Sequence, residues 1–215
     1  MGLWSDYLTH SGRPIHKWTH YLPVYERHLA RFVNRASTLI EIGVSKGGSL
    51  QMWKRYLGPF AQIVGIDVDP ACKDFTESQI AVRIGDQGDT GFLRKIVEEF
   101  GTPDIVVDDG SHLMKDISAS FDCLYPLLDR NGVYIVEDLH TAYWEEYGGG
   151  TGRAESFIER CKHFVDELNA HYSRGAVPVS ALGKTTLSIH FYDSVVVFER
   201  GRHLDRSALL VGTPA

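Results

Sequence analysis

A histidine and four carboxylates follow two apolar segments of the chain. VVDDGSH ends the first segment with Asp108, Asp109 and His112, and YIVED ends the second with Glu137 and Asp138. Carboxylates that lie close together repel one another, and a divalent cation relieves that repulsion. Oxygen ligands without paired cysteines or a histidine pair suit Mg²⁺ or Mn²⁺ better than zinc.

A glycine-rich turn ends an earlier apolar run, TLIEIGV, in the sequence EIGVSKGGS at positions 41–49. Glycines allow a tight turn and a close approach of the backbone to a ligand. Ser45 stands where the dinucleotide motif G-x-G-x-x-G has its middle glycine, and no G-K-[ST] sequence follows. The turn therefore matches neither a dinucleotide fingerprint nor a phosphate-gripping P-loop.

The next two apolar runs also end in polar residues. GID places Asp67 at the end of one, and GDQGD places Asp86 and Gln87 at the end of the other. An acidic residue at the end of the second strand can accept both hydroxyls of a ribose. Each carboxylate alone is better explained as a solvated strand end or a helix N-cap. Together, after a glycine-rich turn, they favour a cofactor of the nucleoside type.

The elements that must position these residues alternate along the chain. The apolar runs are rich in Val and Ile and apolar on both faces, which is typical of parallel strands covered on both sides. Alternating strands and helices indicate βαβ units in an open, doubly wound sheet, whose strand ends meet at one edge. Strands are predicted at 38–44, 62–67, 81–86, 104–109 and 133–138, and helices at 49–57, 91–100 and 114–128.

The pattern changes after residue 150. A helical stripe of apolar residues that includes Cys161 runs from 157 to 168, and TTLSIHFYDSVVVFER reads as an antiparallel hairpin turning at Asp193–Ser194. We therefore predict an α/β fold, a Rossmann-like doubly wound sheet of seven strands with an antiparallel C-terminal hairpin. One domain, 1–215, would comprise a helical lid (1–36), a cofactor and metal core (37–145), and a loop, helix and closing hairpin (146–215).

Composition narrows the class of protein. A formal net charge of -6 over 215 residues argues against a protein that binds nucleic acid by neutralising phosphates. No apolar run approaches the roughly 18 residues that span a bilayer, and the N-terminus lacks the features of a signal peptide. Three cysteines without C-x-x-C spacing suggest reduced thiols. We expect a cytoplasmic protein that binds neither membrane nor nucleic acid.

The pattern E-x-G-x-x-x-G-G-S, followed by an acid at the second strand end, resembles the class I S-adenosylmethionine-dependent methyltransferases. That family has seven strands with an antiparallel final hairpin. Its cofactor carries a sulfonium and no phosphates, in keeping with a turn that has no phosphate cradle. The resemblance implies cofactor contacts on the methionine and ribose side from Glu41, Gly43 and Ser49, on the ribose hydroxyls from Asp67, and on the adenine from Asp86 and Gln87.

A narrower resemblance comes from DDGSH followed by ED. The pair is similar to the metal-dependent sugar O-methyltransferases of the macrolide type, which act on mycinamicin and tylosin sugars. It implies Asp109, Glu137 and Asp138 as ligands of Mg²⁺ or Mn²⁺, His112 as the general base, and Asp108 on the cofactor side. Catechol-type methyltransferases have an Asn near the fifth strand, where this chain has Glu-Asp.

Two further groups of residues could contact a substrate. His16, Lys17, His20 and Tyr21 lie in the His-rich and aromatic-rich segment HKWTHYLPVYERHLARF, which is either a lid or the solvated start of a helix. His140, Tyr143 and Trp144 directly follow the carboxylates of the fifth strand and could stack on a sugar or simply pack.

Several functions remain open from the sequence. A short chain of this kind is also similar to the mycobacterial 1-O-methyltransferases of methylmannose polysaccharide biosynthesis, which implies a 3-O-methylmannoside acceptor. The alternative within the class is the sugar of an antibiotic. An NAD-dependent oxidoreductase and a non-catalytic cofactor-binding module are the alternatives outside it. Exposed aromatic residues near the N-terminus also suggest a homodimer.

Overall fold

Seven strands form one sheet in the computed structural model, which describes residues 2–204 and 206–212. They are β1 Thr38–Ile42, β2 Gln62–Asp67, β3 Ile80–Ile84, β4 Ile105–Asp108, β5 Val133–Val136, β6 Thr186–Tyr192 and β7 Val195–Arg200. Their order in the sheet is β3-β2-β1-β4-β5-β7-β6. The first five strands are parallel, and β7 runs antiparallel to both β5 and β6. The predicted sheet and its closing hairpin are confirmed.

The strand order reverses in the middle of the sheet. The chain passes from β1 to β2 and β3 on one side, and then returns to β4 and β5 on the other. β1 and β4 pair directly, with Ile42 opposite Asp108 at their carboxyl ends. Ligands of doubly wound sheets bind in the crevice outside the strand ends at such a reversal. The crevice of this sheet therefore begins just beyond Ile42 and Asp108.

Helices cover both faces of the sheet. They are α1 Leu3–Leu8, α2 Leu22–Leu29, α3 Gly48–Leu57, α4 Thr90–Phe100, α5 Met114–Leu124, α6 Phe157–Leu168 and α7 Ala181–Thr185. One apolar cluster contains Leu39 and the buried apolar side chains of α1 to α3. A second contains Ile40 and the buried apolar side chains of α4 to α6. Because neighbouring strand residues point to opposite faces, these clusters are the two sides of a three-layer structure. Burial on both faces explains the unbroken Val and Ile runs.

Some predicted element ends were wrong. The α-helix predicted over 114–128 ends at Leu124, because Pro126 has no N–H and its ring would clash with the carbonyl group four residues earlier. A 3₁₀ turn, Tyr125–Leu127, follows instead. β4 and β5 stop at Asp108 and Val136, before the last acidic residues of the predicted strands. Asp138 has φ 53°, a left-handed conformation that a strand cannot contain.

The C-terminal third forms as predicted. α6 carries the apolar stripe, and its Cys161 is a fully buried free thiol. Burial raises the pKa of that thiol far above its ordinary value, so it is inert. β6 and β7 are joined at Asp193–Ser194, where Ser194 has φ 63°. Left-handed residues are typical of tight hairpin turns.

The N-terminal segment runs across the carboxyl ends of the strands. α1 and α2 are separated by residues 9–18, which have no regular helix or strand, and by a 3₁₀ turn, Thr19–Tyr21. Pro14 to Trp18 and Tyr21 line a cleft that also contains Asp109 and Asp138. In the described part of the chain, no helix has the length and apolar character that a bilayer crossing requires.

Candidate active site

A glycine allows the backbone at the ends of β1 and β4 to pack closely together. Gly43 follows β1 with φ 94°, and a Cβ atom at this position would lie 1.9 Å from the carbonyl oxygen of Asp109. No other residue fits there without moving the backbone that carries Asp109. The glycine predicted to bind cofactor is therefore also required by the packing of the two strand ends.

The side chains of Asp109, His112 and Asp138 meet at this edge of the sheet. His112 Nε2 lies 3.7 Å from Asp109 Oδ1 and 3.7 Å from Asp138 Oδ2. One ligand atom of each residue falls within 4.8 Å of the others, close enough to share a metal ion. Tyr21 donates a hydrogen bond of 2.6 Å to Asp138 Oδ1. Burial and the Asp138 carboxylate raise the pKa of Tyr21, so its hydroxyl stays a donor.

Lys17 lies at the centre of the remaining carboxylates. Its Nζ donates to Asp109 Oδ2 at 2.6 Å and to both oxygens of Glu137 at 2.9 and 3.0 Å, and lies 3.5 Å from Glu41 Oε1. Only 3% of the Lys17 side chain is exposed. Burial alone would lower the pKa of Lys17, but Asp109, Glu137 and Glu41 outweigh it and raise the pKa well above its ordinary value. The side chain is therefore a buried ammonium ion.

Glu137 and Asp138 are neighbours with different partners. Asp138 faces His112, whereas both carboxylate oxygens of Glu137 are held by Lys17. Burial raises the pKa of Glu137, the Asp109 charge adds to the rise, and Lys17 opposes it. The sequence predicted Glu137 as a metal ligand. That role stays a prediction, since in this structure the lysine occupies its oxygens.

A cleft of about 330 Å³ opens beside the carboxylates and reaches the end of β2. A second hollow of about 150 Å³ shares Gly43, Asp67 and Gly110 with the first, so the two form one path along the strand ends. The second hollow is lined by Ile42, Ile66 and Val68, together with the predicted adenine contacts Asp86 and Gln87. An apolar slot with a polar tip suits a flat heterocyclic base.

Asp67 is held firmly at the junction of the two hollows. Its Oδ2 accepts backbone hydrogen bonds from Val44 and Ser45 at 2.8 and 3.0 Å, and its Oδ1 accepts one from Asp69 at 2.9 Å. Partial burial opposes ionisation, but these three N–H groups lower the pKa of Asp67. A rigid, ionised carboxylate at this point suits the ribose role predicted for it.

Asp108 and Gln87 are hydrogen-bonded to each other beneath the cleft, and Gln87 also lines the second hollow. Gln87 Nε2 donates to Asp108 Oδ1 at 2.6 Å, while Ser120 and Tyr134 donate to Asp108 Oδ2. The Gln87 Oε1 atom accepts from the Ser111 backbone at 2.9 Å. Burial raises the pKa of Asp108 to about 7, against the effect of its three donors. This network joins the ends of β3 and β4 beneath the cleft, and the predicted cofactor contacts of both side chains stay untested.

Glu41 also lies under the cleft. Its carboxylate is fully buried and accepts hydrogen bonds from Ser49 at 2.7 Å and from Trp53 at 3.0 Å. Burial raises the pKa of Glu41, and the Lys17 charge offsets part of that rise. Ser49 itself lines the cleft at the start of α3. Glu41 thus anchors Ser49 and Lys17 from below.

Exposed aromatic rings surround the mouth of the cleft. Ring centroids are 5.9 Å apart for Trp18 and His20, 6.3 Å for Trp18 and His140, and 4.9 Å for His140 and Trp144. Trp18, Trp144 and Tyr143 are 55%, 44% and 51% exposed. Seven residues were predicted to contact a substrate. His16, Lys17 and Tyr21 line the cleft, His20, His140 and Trp144 lie in the row of rings beside Trp18, and Tyr143 lines a neighbouring hollow with His140. Trp18 was not predicted, although it lies in the segment singled out for its aromatic residues.

Comparison with known proteins identifies relatives of the chain. No protein-family model matches it. The 8-demethyl-8-(2-methoxy-alpha-L-rhamnosyl)-tetracenomycin-C 3'-O-methyltransferase of Streptomyces olivaceus is 36% identical over 200 residues, which cover 86% of this chain and 50% of the relative. The mycinamicin VI 2''-O-methyltransferase of Micromonospora griseorubida is 35% identical over 201 residues, covering 85% and 48%. The chain is a homologue of the macrolide-type sugar O-methyltransferases. It spans about half the length of these curated relatives.

A solved structure supports the same relationship. The MycE methyltransferase of the mycinamycin biosynthetic pathway, in complex with Mg, SAH and mycinamycin VI, superposes with a TM-score of 0.83 at 31% identity. The match covers 99% of this chain and 55% of the MycE chain. The predicted class I methyltransferase fold, as found in the macrolide-type sugar O-methyltransferases, is confirmed.

The site of this homologue has the chemistry that such a metal and cofactor need. Asp109 and Asp138 offer the oxygen ligands that Mg²⁺ and Mn²⁺ prefer. The cleft offers polar groups near the carboxylates and an apolar slot beyond Asp67, which fits the amino-acid and adenine ends of S-adenosylmethionine. Lys17 is a candidate functional residue whose contacts could not be predicted from the sequence, because its partners are distant from it along the chain.

Proposed function

We propose that this protein transfers a methyl group from S-adenosylmethionine to a hydroxyl group of a sugar, with Mg²⁺ or Mn²⁺ as the metal. One observation carries the proposal. In a homologue of sugar O-methyltransferases, Asp109, His112 and Asp138 stand at one end of a cleft that continues past Asp67 to the base-sized slot at Asp86. A candidate general base and candidate metal ligands therefore lie next to a cleft that has room for a nucleoside.

The residues divide into a metal side and a cofactor side. Asp109 and Asp138 would hold the metal, joined by Glu137 when it is free of Lys17. When bound, the metal supplies positive charge that lowers the pKa of a sugar hydroxyl. S-adenosylmethionine supplies the methyl group on a sulfonium. The remaining cofactor contacts would come from Gly43, Ser49, Asp67 and Asp86, which line the two hollows.

His112 is the group placed to take the proton of the acceptor hydroxyl. Its Nε2 faces two carboxylates at 3.7 Å, and these stabilise the positive charge that the imidazole acquires. Pre-arranged groups of opposite charge cost no reorganisation during the reaction, which is how sites of this kind accelerate transfer.

The aromatic rim would bind the acceptor. Sugars present apolar C–H faces to aromatic rings, and exposed Trp18 and Trp144 offer such rings beside His140. The relatives are named for rhamnosyl, mycinamicin and olivosyl acceptors. We therefore favour the sugar of a glycosylated natural product over the predicted 3-O-methylmannoside, which no relative supports.

The test begins with cofactor binding. Calorimetric titration of the purified chain with S-adenosylhomocysteine should show micromolar binding, and titration with NADH should show none. Binding of NADH alone would favour the oxidoreductase alternative and overturn the proposal.

Methyl transfer is then measured with labelled S-adenosylmethionine. A rhamnosylated tetracenomycin, demethylmacrocin and a 3-O-methylmannoside serve as acceptors, each with Mg²⁺ and with EDTA. We expect transfer to a natural-product sugar that EDTA abolishes. Full transfer in EDTA would contradict the metal role, and cofactor binding without transfer to any sugar would favour a non-catalytic module.

A further inference from the structure

A buried ammonium ion lies where the acidic groups of the site converge. The Lys17 Nζ touches Asp109 Oδ2 and both oxygens of Glu137, and lies 3.5 Å from Glu41. Within residues 2–204 and 206–212, no other lysine or arginine forms an ion pair with these three carboxylates. One positive charge therefore compensates carboxylates delivered by β1, β4 and β5.

The contacts divide the acidic groups into two sets. Asp109 turns Oδ2 to Lys17 and leaves Oδ1 toward His112 and Asp138. Lys17 also contacts both oxygens of Glu137, so each of them already accepts a hydrogen bond from the ammonium group. A divalent ion in the pocket thus shares Asp109 with the lysine, and it must share or displace the contact of the lysine with Glu137.

We propose that Lys17 is an internal cation that competes with the divalent metal for Asp109 and Glu137. The proposal rests on the metal centre of the proposed function. Two cations on the two oxygens of one carboxylate lie only a few ångströms apart. At that separation, repulsion between a single and a double charge weakens metal binding by about tenfold or more, even at the dielectric constant of water.

Competition has one consequence for the metal-free protein and another for the metal-bound protein. Without a metal, the lysine prevents the repulsion that buried carboxylates would otherwise exert on one another, so the fold tolerates an empty site. With a metal, the lysine must loosen or withdraw. Lys17 belongs to the segment Pro14–Trp18 that lines the cleft, so the metal and the cleft wall are coupled.

Metal affinity measured without any reaction tests the proposal. Mn²⁺ binding is followed by electron paramagnetic resonance in the wild type, in Lys17→Met and in Lys46→Met. Lys46 is an exposed lysine of the same cleft, so it controls for a general loss of positive charge. We expect Lys17→Met to bind Mn²⁺ at least about tenfold more tightly, and Lys46→Met to change affinity little. Unchanged or weaker binding by Lys17→Met overturns the competition.

The outcomes separate this inference from the proposed function. If neither the wild type nor Lys17→Met binds Mn²⁺ while S-adenosylhomocysteine still binds, the metal centre itself is wrong and both proposals fall. If the wild type binds and Lys17→Met binds no better, only the competition falls.

A second measurement does not depend on the variant folding. In the wild type, amide hydrogen exchange of residues 15–18 is compared with and without Mn²⁺. Release of the lysine predicts faster exchange with metal. Slower or unchanged exchange would show that metal and lysine hold the carboxylates together, and would overturn the proposal.

Discussion

The position of the His112 imidazole in the site depends on the backbone conformation of the residue. Its φ is 58°, in the left-handed region where, apart from Gly, mainly Asn, Asp and His are found. This conformation directs the imidazole between Asp109 and Asp138 rather than out into water. A substitution here must therefore be chosen to preserve the turn as well as to remove the base.

The prediction at the residue scale is that His112→Asn loses methyl transfer and keeps its fold. Asn tolerates the left-handed conformation but cannot accept the proton, so we expect the rate to fall by roughly 10²-fold or more. Single-turnover transfer measures the rate, and calorimetry with S-adenosylhomocysteine shows that the cofactor site is intact. His171→Asn, at an exposed position away from the cleft, is the control. Retention of the full rate by His112→Asn would rule out a general-base role.

At the scale of elements, hydrogen bonds to Glu199 connect α2 to the closing hairpin. His28 of α2 is 2% exposed and binds Glu199 of β7 through Nδ1 and Tyr192 of β6 through Nε2. Arg31 adds a contact of 2.8 Å to the same carboxylate. α2 directly follows the turn that carries Tyr21, so this anchor also fixes one end of the cleft wall.

The pKa of Glu199 gives this anchor a pH dependence. The hydrogen bond from His28 is the main cause that lowers its pKa from 4.5 to about 2, with Arg31 contributing. A lowered pKa stabilises the fold above pH 4.5, and that stabilisation is lost as the pH falls toward 2. We predict that Glu199→Gln is less stable than the wild type by roughly 2 kcal/mol at pH 7.

Urea unfolding at pH 7, 5 and 3.5 measures this difference. It should be smaller at pH 3.5 than at pH 5, because the carboxylate of residue 199 is then largely protonated in the unfolded chain. Glu98→Gln removes an exposed carboxylate of α4 and should change stability little at any pH. A Glu199→Gln difference that grows from pH 5 to pH 3.5 would contradict the assigned sign.

At the scale of the whole molecule, the two halves of the site are joined through the strand reversal. The cofactor path follows the ends of β1 and β2, and the carboxylates follow β4 and β5. Both halves exist only when the sheet is assembled, so ligands of either half stabilise the whole fold. The predicted homodimer and cytoplasmic location stay predictions.

We predict that S-adenosylhomocysteine raises the melting temperature of the chain and that NADH does not. At a ligand concentration of about 100 times Kd, the stabilisation is about 2.7 kcal/mol. For a chain of this size that corresponds to roughly 5–10 °C. Differential scanning fluorimetry measures the shift in melting temperature. Added EDTA should not abolish the shift that S-adenosylhomocysteine causes. A larger shift with NADH would point to a dinucleotide site instead.

The architecture, and the meeting of the acidic strand ends at one sheet edge, could be predicted from the sequence alone. Apolar runs, turn residues and acidic strand ends are local patterns, and a parallel sheet brings the ends of all its strands to one edge. DDGSH and ED could therefore be placed together without coordinates. The exact element ends were less secure, as Pro126 and the left-handed Asp138 show, because a single residue can end an otherwise regular pattern.

Only the tertiary structure decided which groups in that site bind one another. Lys17 reaches Asp109 across 92 positions and Glu137 across 120, and no local pattern encodes contacts so distant. Asp108 and Asp109 are neighbours, yet one binds Gln87 beneath the sheet edge and the other faces the cleft. Successive residues of a strand point to opposite sides of the sheet. Which partner each side chain meets there depends on how the rest of the chain packs against that side.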